Sequence, residues 1–331
     1  MKVGLYSVTF LGVWYRGAAF TLEQVIDRAR EYGYAGIEID GKRPHGNPLD
    51  LKSDRCLELR RRADDAGITI YAVAANNDFS SPIPEHRESQ LAYARELIRM
   101  TADLGAPTLR MFAAWPGVTL SPNGGRYDIA RRVWAALHEN SAGEEAWDRC
   151  RAGLIECAGW ADNHGLTLAL QNHPPVINNY QDMLRMVGEV GSPALKACLD
   201  APLAKMQGTS DMHRAVDEVG SLEVLTHFGG EYERGPDGRV RGYVRRRDGD
   251  LEPEDFYGDF VRGLLANGYR GYIGYELCHP LPAVNGRTVG VEFAEKNAQL
   301  AAEYMRMMID EARRHLPGGS DSWKDRLALG C

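Results

Sequence analysis

The chain has 331 residues, 44% hydrophobic and 26% charged, with a formal net charge of -7. That is ordinary globular composition, long enough to bury a large core. The acidic balance argues against a nucleic-acid partner, which needs a basic face, and no stretch approaches the ~20 apolar residues of a membrane span.

In chain order the elements fall into a rhythm. Val3–Phe10 reads as a strand, too short and too interrupted at Ser7 and Thr9 for a secretory leader. Thr21-Leu-Glu-Gln24 is a capping box, Leu22, Val25, Ile26 and Ala29 follow at helical spacing, and Gly33 ends the helix. Strand Gly36–Asp40 comes next. Helix Ser53–Ala66 then leads to strand Ile68–Ala74, helix Glu85–Leu104 to strand Thr108–Ala113, and helix Glu144–His164 to strand Leu166–Asn172. In the second half, helix Gln181–Val190 precedes strand Leu195–Asp200, Asp211–Val219 precedes Val224–His227, and Glu254–Ala266 precedes Tyr272–Glu276. A long amphipathic helix, Val291–His315, closes the series.

Eight such units predict an α/β chain folded as a single-domain (β/α)8 TIM barrel over residues 1–316. The rival is a doubly wound open sheet; the even spacing favours closure. Gly117–Gly143 and Gly229–Glu252 read as insertions in βα loops. Pro236-Asp237-Gly238 marks the turn of a small hairpin in the second. The basic run Arg241–Arg247 reads as a solvated loop, and residues 317–331 as a tail outside the barrel. Six scattered cysteines with no C-x-x-C pair read as reduced thiols in a cytoplasmic protein.

Barrel strands are buried, so polar residues at their carboxyl ends need a reason, and that end is where barrel active sites lie. The candidates are Glu38 and Asp40, Gln171 and His173, Asp200, His227 and Glu276. Singly, each has a structural reading: a cap for Asp200, a hydrogen-bonded core histidine for His227, an arginine partner for Glu276. Glu38 and Asp40 read as structural pairs. Together, Gln171, Asp200, His227 and Glu276 end four successive strands, and their mixed oxygen and nitrogen donors suit one divalent ion, Mn2+, Mg2+, Fe2+, Co2+ or Zn2+.

The series GLYSVTF, GIEID, ALQNHPP, CLDAPLA, THFGG and IGYELCHP resembles the xylose-isomerase-like barrels, the sugar phosphate isomerase/epimerase superfamily, over nearly the whole chain. The resemblance implies one divalent metal, Mn2+ first among them, held at Gln171, Asp200, His227 and Glu276, and a sugar substrate. Members carry glutamate at the first position and use it with the last as an acid/base pair. Here that position is Gln171, whose amide oxygen can ligate but cannot act as a base. His173, two residues on, faces the same way and can supply a base; its other reading is a strand-exit histidine fixed by Pro174.

The mouth loops offer substrate-binding candidates: Trp14, Tyr15, Phe79, Phe112 and Trp115 for stacking, with Asn76, Asn77, Asp78, Arg110 and His279 for polar contacts. A Lewis acid, one base and an aromatic mouth suit proton removal α to a sugar carbonyl followed by β-elimination. Within the family this looks most like the large subunit of C-glycoside deglycosidases, which implies a 3-oxo-glucoside substrate, catalytic roles for His173 and Glu276, and a small β-type partner subunit. The alternatives are a ketose or inosose-type isomerase, epimerase or dehydratase, and a sugar-binding barrel without catalysis. An abasic-site endonuclease would need more histidines and a basic face.

Overall fold

Eight parallel strands close on themselves, and their order around the barrel follows the chain. They are β1 (Lys2–Tyr6), β2 (Gly36–Asp40), β3 (Thr69–Ala74), β4 (Thr108–Met111), β5 (Thr167–Gln171), β6 (Leu195–Asp200), β7 (Glu223–Gly229) and β8 (Tyr272–Glu276). The computed structural model describes residues 1–121, 124–245 and 250–315. The tail beyond residue 316 and two arginines of the basic run, Arg246 and Arg247, lie outside the described residues.

Alternation along the strands divides the core in two. Ile37, Ile39, Leu109, Met111, Leu168, Leu170, Leu199 and Tyr275 point outward into the main core beneath the helices. Inside the barrel, Tyr71, Ala72, Ala169, Cys198 and Leu225 make a separate cluster, with Tyr272 packed against it. The same parity turns Tyr6, Glu38, Asp40, Arg110, Gln171, Asp200, His227 and Glu276 inward above that cluster. The rings of Tyr71 and Tyr272 stack with centroids 4.2 Å apart. Glycine on neighbouring strands makes room for them: a Cβ at Gly4 would stand 2.4 Å from the Tyr71 ring, and one at Gly274 would stand 2.7 Å from its hydroxyl.

Helix ends follow the sequence closely. The Thr21/Gln24 capping box forms in full. Asn179 caps the helix Tyr180–Val190, which ends on Gly191 at φ 64°, the left-handed conformation that glycine adopts without strain.

Three expectations need correction. The first strand ends at Tyr6, and Ser7–Phe10 turns into a 3-10 helix. The polar residues that interrupt its apolar run explain the turn: Ser7 Oγ accepts from the Asp40 amide at 2.8 Å, and Thr9 Oγ1 from that of Leu277 at 3.2 Å. The insertion after β7 is a three-stranded sheet, Glu231–Arg234, Val240–Arg245 and Leu251–Pro253, rather than one hairpin. Its first turn falls at 236–238 as read, with Gly238 N donating to Gly235 O at 2.9 Å. The basic run enters this sheet as a strand, where Arg241 pairs with Asp237 and Arg245 with Glu231.

The insertion after β4 carries a short ladder, Thr119–Ser121 with Gly124–Arg126, and the helix Tyr127–Leu137.

Candidate active site

At the carboxyl end of the barrel, Asp200, His227 and Glu276 each present a ligand atom within 4.8 Å of the others. Asp200 ends β6 and caps the short helix Ala201–Met206, with Oδ1 accepting from the Leu203 amide at 2.8 Å. Its other oxygen, Oδ2, faces the site and accepts from Gln171 Nε2 at 2.8 Å. Burial, and then the neighbouring Glu276 carboxylate, push the Asp200 carboxyl up to about 7. Two acids held this close in a dry setting call for a positive charge between them.

His227 is oriented from behind. Its Nε2 lies 2.7 Å from Glu38 Oε2, both side chains fully buried. Burial opposes a charge on the imidazole, but Glu38 outweighs it and raises the pKa. Nδ1 faces Asp200 Oδ2 at 3.9 Å and Gln171 Nε2 at 3.4 Å. An amide nitrogen only donates, so in the neutral ring Nδ1 is the bare nitrogen and Nε2 carries the proton toward Glu38. This is how a metal-binding histidine is held when a carboxylate fixes its tautomer.

Glu38 also receives Arg110, whose Nε lies 3.0 Å from Oε1. Burial alone would raise the Glu38 pKa, but His227 and Arg110 hold it below the ordinary value. The rest of the guanidinium is spent as well. Nη1 donates to Gln171 Oε1 at 2.7 Å and Nη2 to the Tyr6 hydroxyl at 2.7 Å. Tyr6 passes its own proton toward Asp40 Oδ2 at 2.9 Å, and Asn76 Nδ2 donates to Asp40 Oδ1 at 2.8 Å. Glu38 and Asp40 are thus paired, as the sequence suggested. Arg110, read there as a minor pocket candidate, is the hub of the buried network, and Tyr6 was not singled out at all.

His173 lies half-buried beside the site. Its ring meets Phe112 edge-on at 4.8 Å and Trp115 at 4.7 Å. Nδ1 is 2.5 Å from the Pro174 carbonyl, which can only accept, so Nε2 is the unprotonated nitrogen. Burial, chiefly, lowers its pKa to about 3. The ring is neutral at working pH and a weak base.

Aromatic residues continue outward. Trp115 stacks on Phe112 at 5.1 Å and meets Tyr127, which in turn packs on Trp14 at 4.9 Å. Tyr127 belongs to the insertion after β4, yet its hydroxyl donates to the Cys278 carbonyl just beyond β8, and Gly125 N bonds Val13 O at 2.7 Å. The insertion therefore crosses the mouth and fastens to the loops after β1 and β8. Sequence reading missed Tyr127 because its position depends on that crossing.

Other candidates are placed differently. The Tyr15 hydroxyl closes its own loop onto Phe10 O and Ala18 O. Asn77 brackets the Phe112 backbone, and Phe79 packs against Gly153, away from the mouth. Asp78 Oδ1 accepts from Ser80. His279 Nε2 lies 3.1 Å from Glu231 Oε1, tying the loop after β8 to the three-stranded insertion. Among the described residues no helix is long and apolar enough to cross a membrane.

A closed parallel barrel with acids and an imidazole converging at its carboxyl mouth defines the class, a (β/α)8 barrel with its polar site where such barrels carry chemistry. The chain belongs to the xylose isomerase-like TIM-barrel family, whose model matches residues 26–308. Fructoselysine 3-epimerase of Shigella flexneri is 25% identical over 268 residues, covering 77% of this chain and 85% of that protein. The solved D-psicose 3-epimerase of Clostridium cellulolyticum H10 superposes with a TM-score of 0.69 at 18% identity, over 93% of this chain and 99% of the other. The 3-keto-D-glucoside 4-epimerase of E. coli does so with a TM-score of 0.64 at 17% identity, over 93% and 98%. At these identities the structures share the fold.

Proposed function

We propose that this protein is a divalent-metal-dependent sugar isomerase or epimerase that works by removing a proton α to a sugar carbonyl. The observation that carries the proposal is the convergence of Asp200, His227 and Glu276 within 4.8 Å at the barrel mouth. Family membership and the sugar epimerases among its relatives support the substrate class.

The donor set fits a divalent ion. Asp200 turns Oδ2 toward the site, His227 presents Nδ1, and the neighbouring Glu276 carboxylate adds to burial in raising the Asp200 pKa. When bound, Mn2+ or a similar ion supplies Lewis acidity toward the oxygens of an enediolate. Glu276 accepts the proton from one carbon and returns it to the neighbouring carbon on the same face, which isomerises the sugar. Epimerisation also needs a proton on the opposite face, which water has to supply because Gln171 cannot. His173 offers Nε2 as a neutral acceptor that orients a hydroxyl. Trp14, Phe112 and Trp115 form the apolar wall for the sugar face, while Tyr15, Asn76 and His279 hold the rim loops around it.

A second reading is favoured by Gln171. An amide cannot deliver a proton to the opposite face, so the same deprotonation can end in β-elimination of an aglycone from a 3-oxo-glucoside. That reading carries a small partner subunit.

The test is exchange of the substrate's C–H in deuterated water with Mn2+ present, using free ketoses and a 3-oxo-glucoside separately. Deuterium incorporation into a ketose is the expected result. Aglycone release without ketose exchange selects the second reading, and no exchange with either class ends both.

A further inference from the structure

We infer that Gln171 stays outside the coordination sphere of the ion and instead presents its amide N–H groups to the site, in an orientation imposed by Arg110. The inference rests on the metal-centre reading above and concerns how the fourth strand end is used.

The two ends of the Gln171 amide have different neighbours. One lies 2.7 Å from Arg110 Nη1. A guanidinium has donors only, so this end must be the oxygen. The other end lies 2.8 Å from Asp200 Oδ2 and 3.4 Å from His227 Nδ1. A carboxylate accepts, so this end must be the nitrogen. Reversing the amide would set NH2 against a guanidinium and a carbonyl oxygen against a carboxylate. The hydrogen-bond chemistry on both sides therefore fixes the assignment.

Arg110 cannot follow Gln171 toward an ion. Its Nε is held by Glu38 at 3.0 Å and its Nη2 by the Tyr6 hydroxyl at 2.7 Å. It is sandwiched at 4.7 Å over the Phe112 ring and 5.1 Å over that of Tyr6, and the side chain is 3% exposed. Turning Gln171 Oε1 from Arg110 toward the site, where Nε2 now lies, would leave a buried, charged donor without its acceptor. A carboxylate at this position would bring a further negative charge against Asp200, whereas the amide donates to it at 2.8 Å.

One Gln171 N–H is committed to Asp200. The second points toward His227 Nδ1, and once that nitrogen holds an ion the N–H is available to a sugar oxygen. Three protein ligands also leave more of a six-coordinate ion's positions to the sugar than four would. Gln171 is on this account a substrate-facing donor, and Arg110 is its positioning residue.

The test is Co2+ titration of the wild type and of Gln171→Leu, followed by visible absorption and calorimetry. The inference expects superimposable d–d bands and an affinity changed by less than about tenfold, because only a neighbour of a ligand is lost. A shifted or re-scaled band with an affinity loss of about a hundredfold would place Gln171 on the ion and overturn it. If wild-type protein takes up no Co2+, the metal-centre reading itself fails, and the inference falls with it. For a Gln171→Leu chain that does not fold, the crystal structure of Mn2+-loaded wild-type protein decides. Gln171 Oε1 still on Arg110 supports the inference, and Oε1 within about 2.0–2.6 Å of the ion refutes it.

Discussion

His227 and Glu38 meet at 2.7 Å in the centre of the barrel, although 189 residues separate them in the chain. The carboxylate fixes which imidazole nitrogen is bare, and so it governs a group it does not resemble. Glu38→Gln should therefore weaken Mn2+ binding by about tenfold to a hundredfold without removing any ligand. Isothermal titration checks this, and unchanged affinity would show that His227 needs no such partner.

Metal removal should be visible in stability as well as in rate. An ion that binds only the folded state at a hundred times its Kd adds about 2.7 kcal/mol. Chelation should lower Tm by several degrees, and Asp200→Ala or Glu276→Ala should abolish the difference between metal-loaded and metal-free protein. A metal-dependent Tm increment that survives Asp200→Ala removes Asp200 from the ligand set.

His173 tests whether a neutral imidazole contributes. With its pKa lowered to about 3, it adds no limb to the pH–rate profile above pH 5. His173→Ala should lower kcat roughly fivefold at constant metal content, the loss of one orienting hydrogen bond of about 1 kcal/mol. Full activity would assign the ring to packing between Phe112 and Trp115.

Tyr127 ties the insertion after β4 to the backbone beyond β8. Tyr127→Phe deletes that one hydrogen bond, a change of about 1 kcal/mol. The expected result is a KM for sugar raised roughly fivefold with kcat nearly unchanged, and faster proteolytic cleavage between residues 117 and 126. Equal cleavage rates in wild type and variant would show that the crossing does not depend on the hydroxyl.

Glu223 gives a pH prediction away from the site. Both of its oxygens face the Leu199 amide, at 3.0 and 3.2 Å, and burial raises its pKa well above the ordinary 4.5. The folded state then binds the proton that the unfolded chain releases, so this group's contribution falls as pH rises from about 4.5 toward the folded pKa. Glu223→Gln keeps an acceptor for Leu199 and has nothing to ionise. Relative to wild type it should gain stability from pH 5 to pH 8, measured by denaturant unfolding. A constant difference across that range would mean that Glu223 titrates normally.

The barrel was legible because each strand is a short apolar run and the first helix carries clear start and stop signals, at Thr21 and Gly33. The cluster Asp200, His227 and Glu276 was legible for a related reason: a polar residue ending a buried strand has few places to point. What could not be read was who partners whom. Arg110 joins Glu38, Gln171 and Tyr6 across separations of 72, 61 and 104 residues, distances that only barrel closure makes short. Ser7–Phe10 misled because its β-rich residues suit a strand, and only its contacts with Asp40 and Leu277 turn it aside. Gln171 was identified as a departure from its relatives, but the donor sense of its amide depends on Arg110.

The Tyr71 and Tyr272 rings, set into the space over Gly4 and Gly274, make the barrel a well with a floor. Among the described residues these rings fill the barrel beneath Asp200 and His227, on the side away from the mouth that Tyr127 spans. On the proposed function, an ion held by Asp200, His227 and Glu276 would sit deeper than a sugar and would enter before it, so that the sugar would act as its stopper. Exchange of the ion should accordingly slow when the well is full, so that saturating sugar protects the bound ion from a chelator.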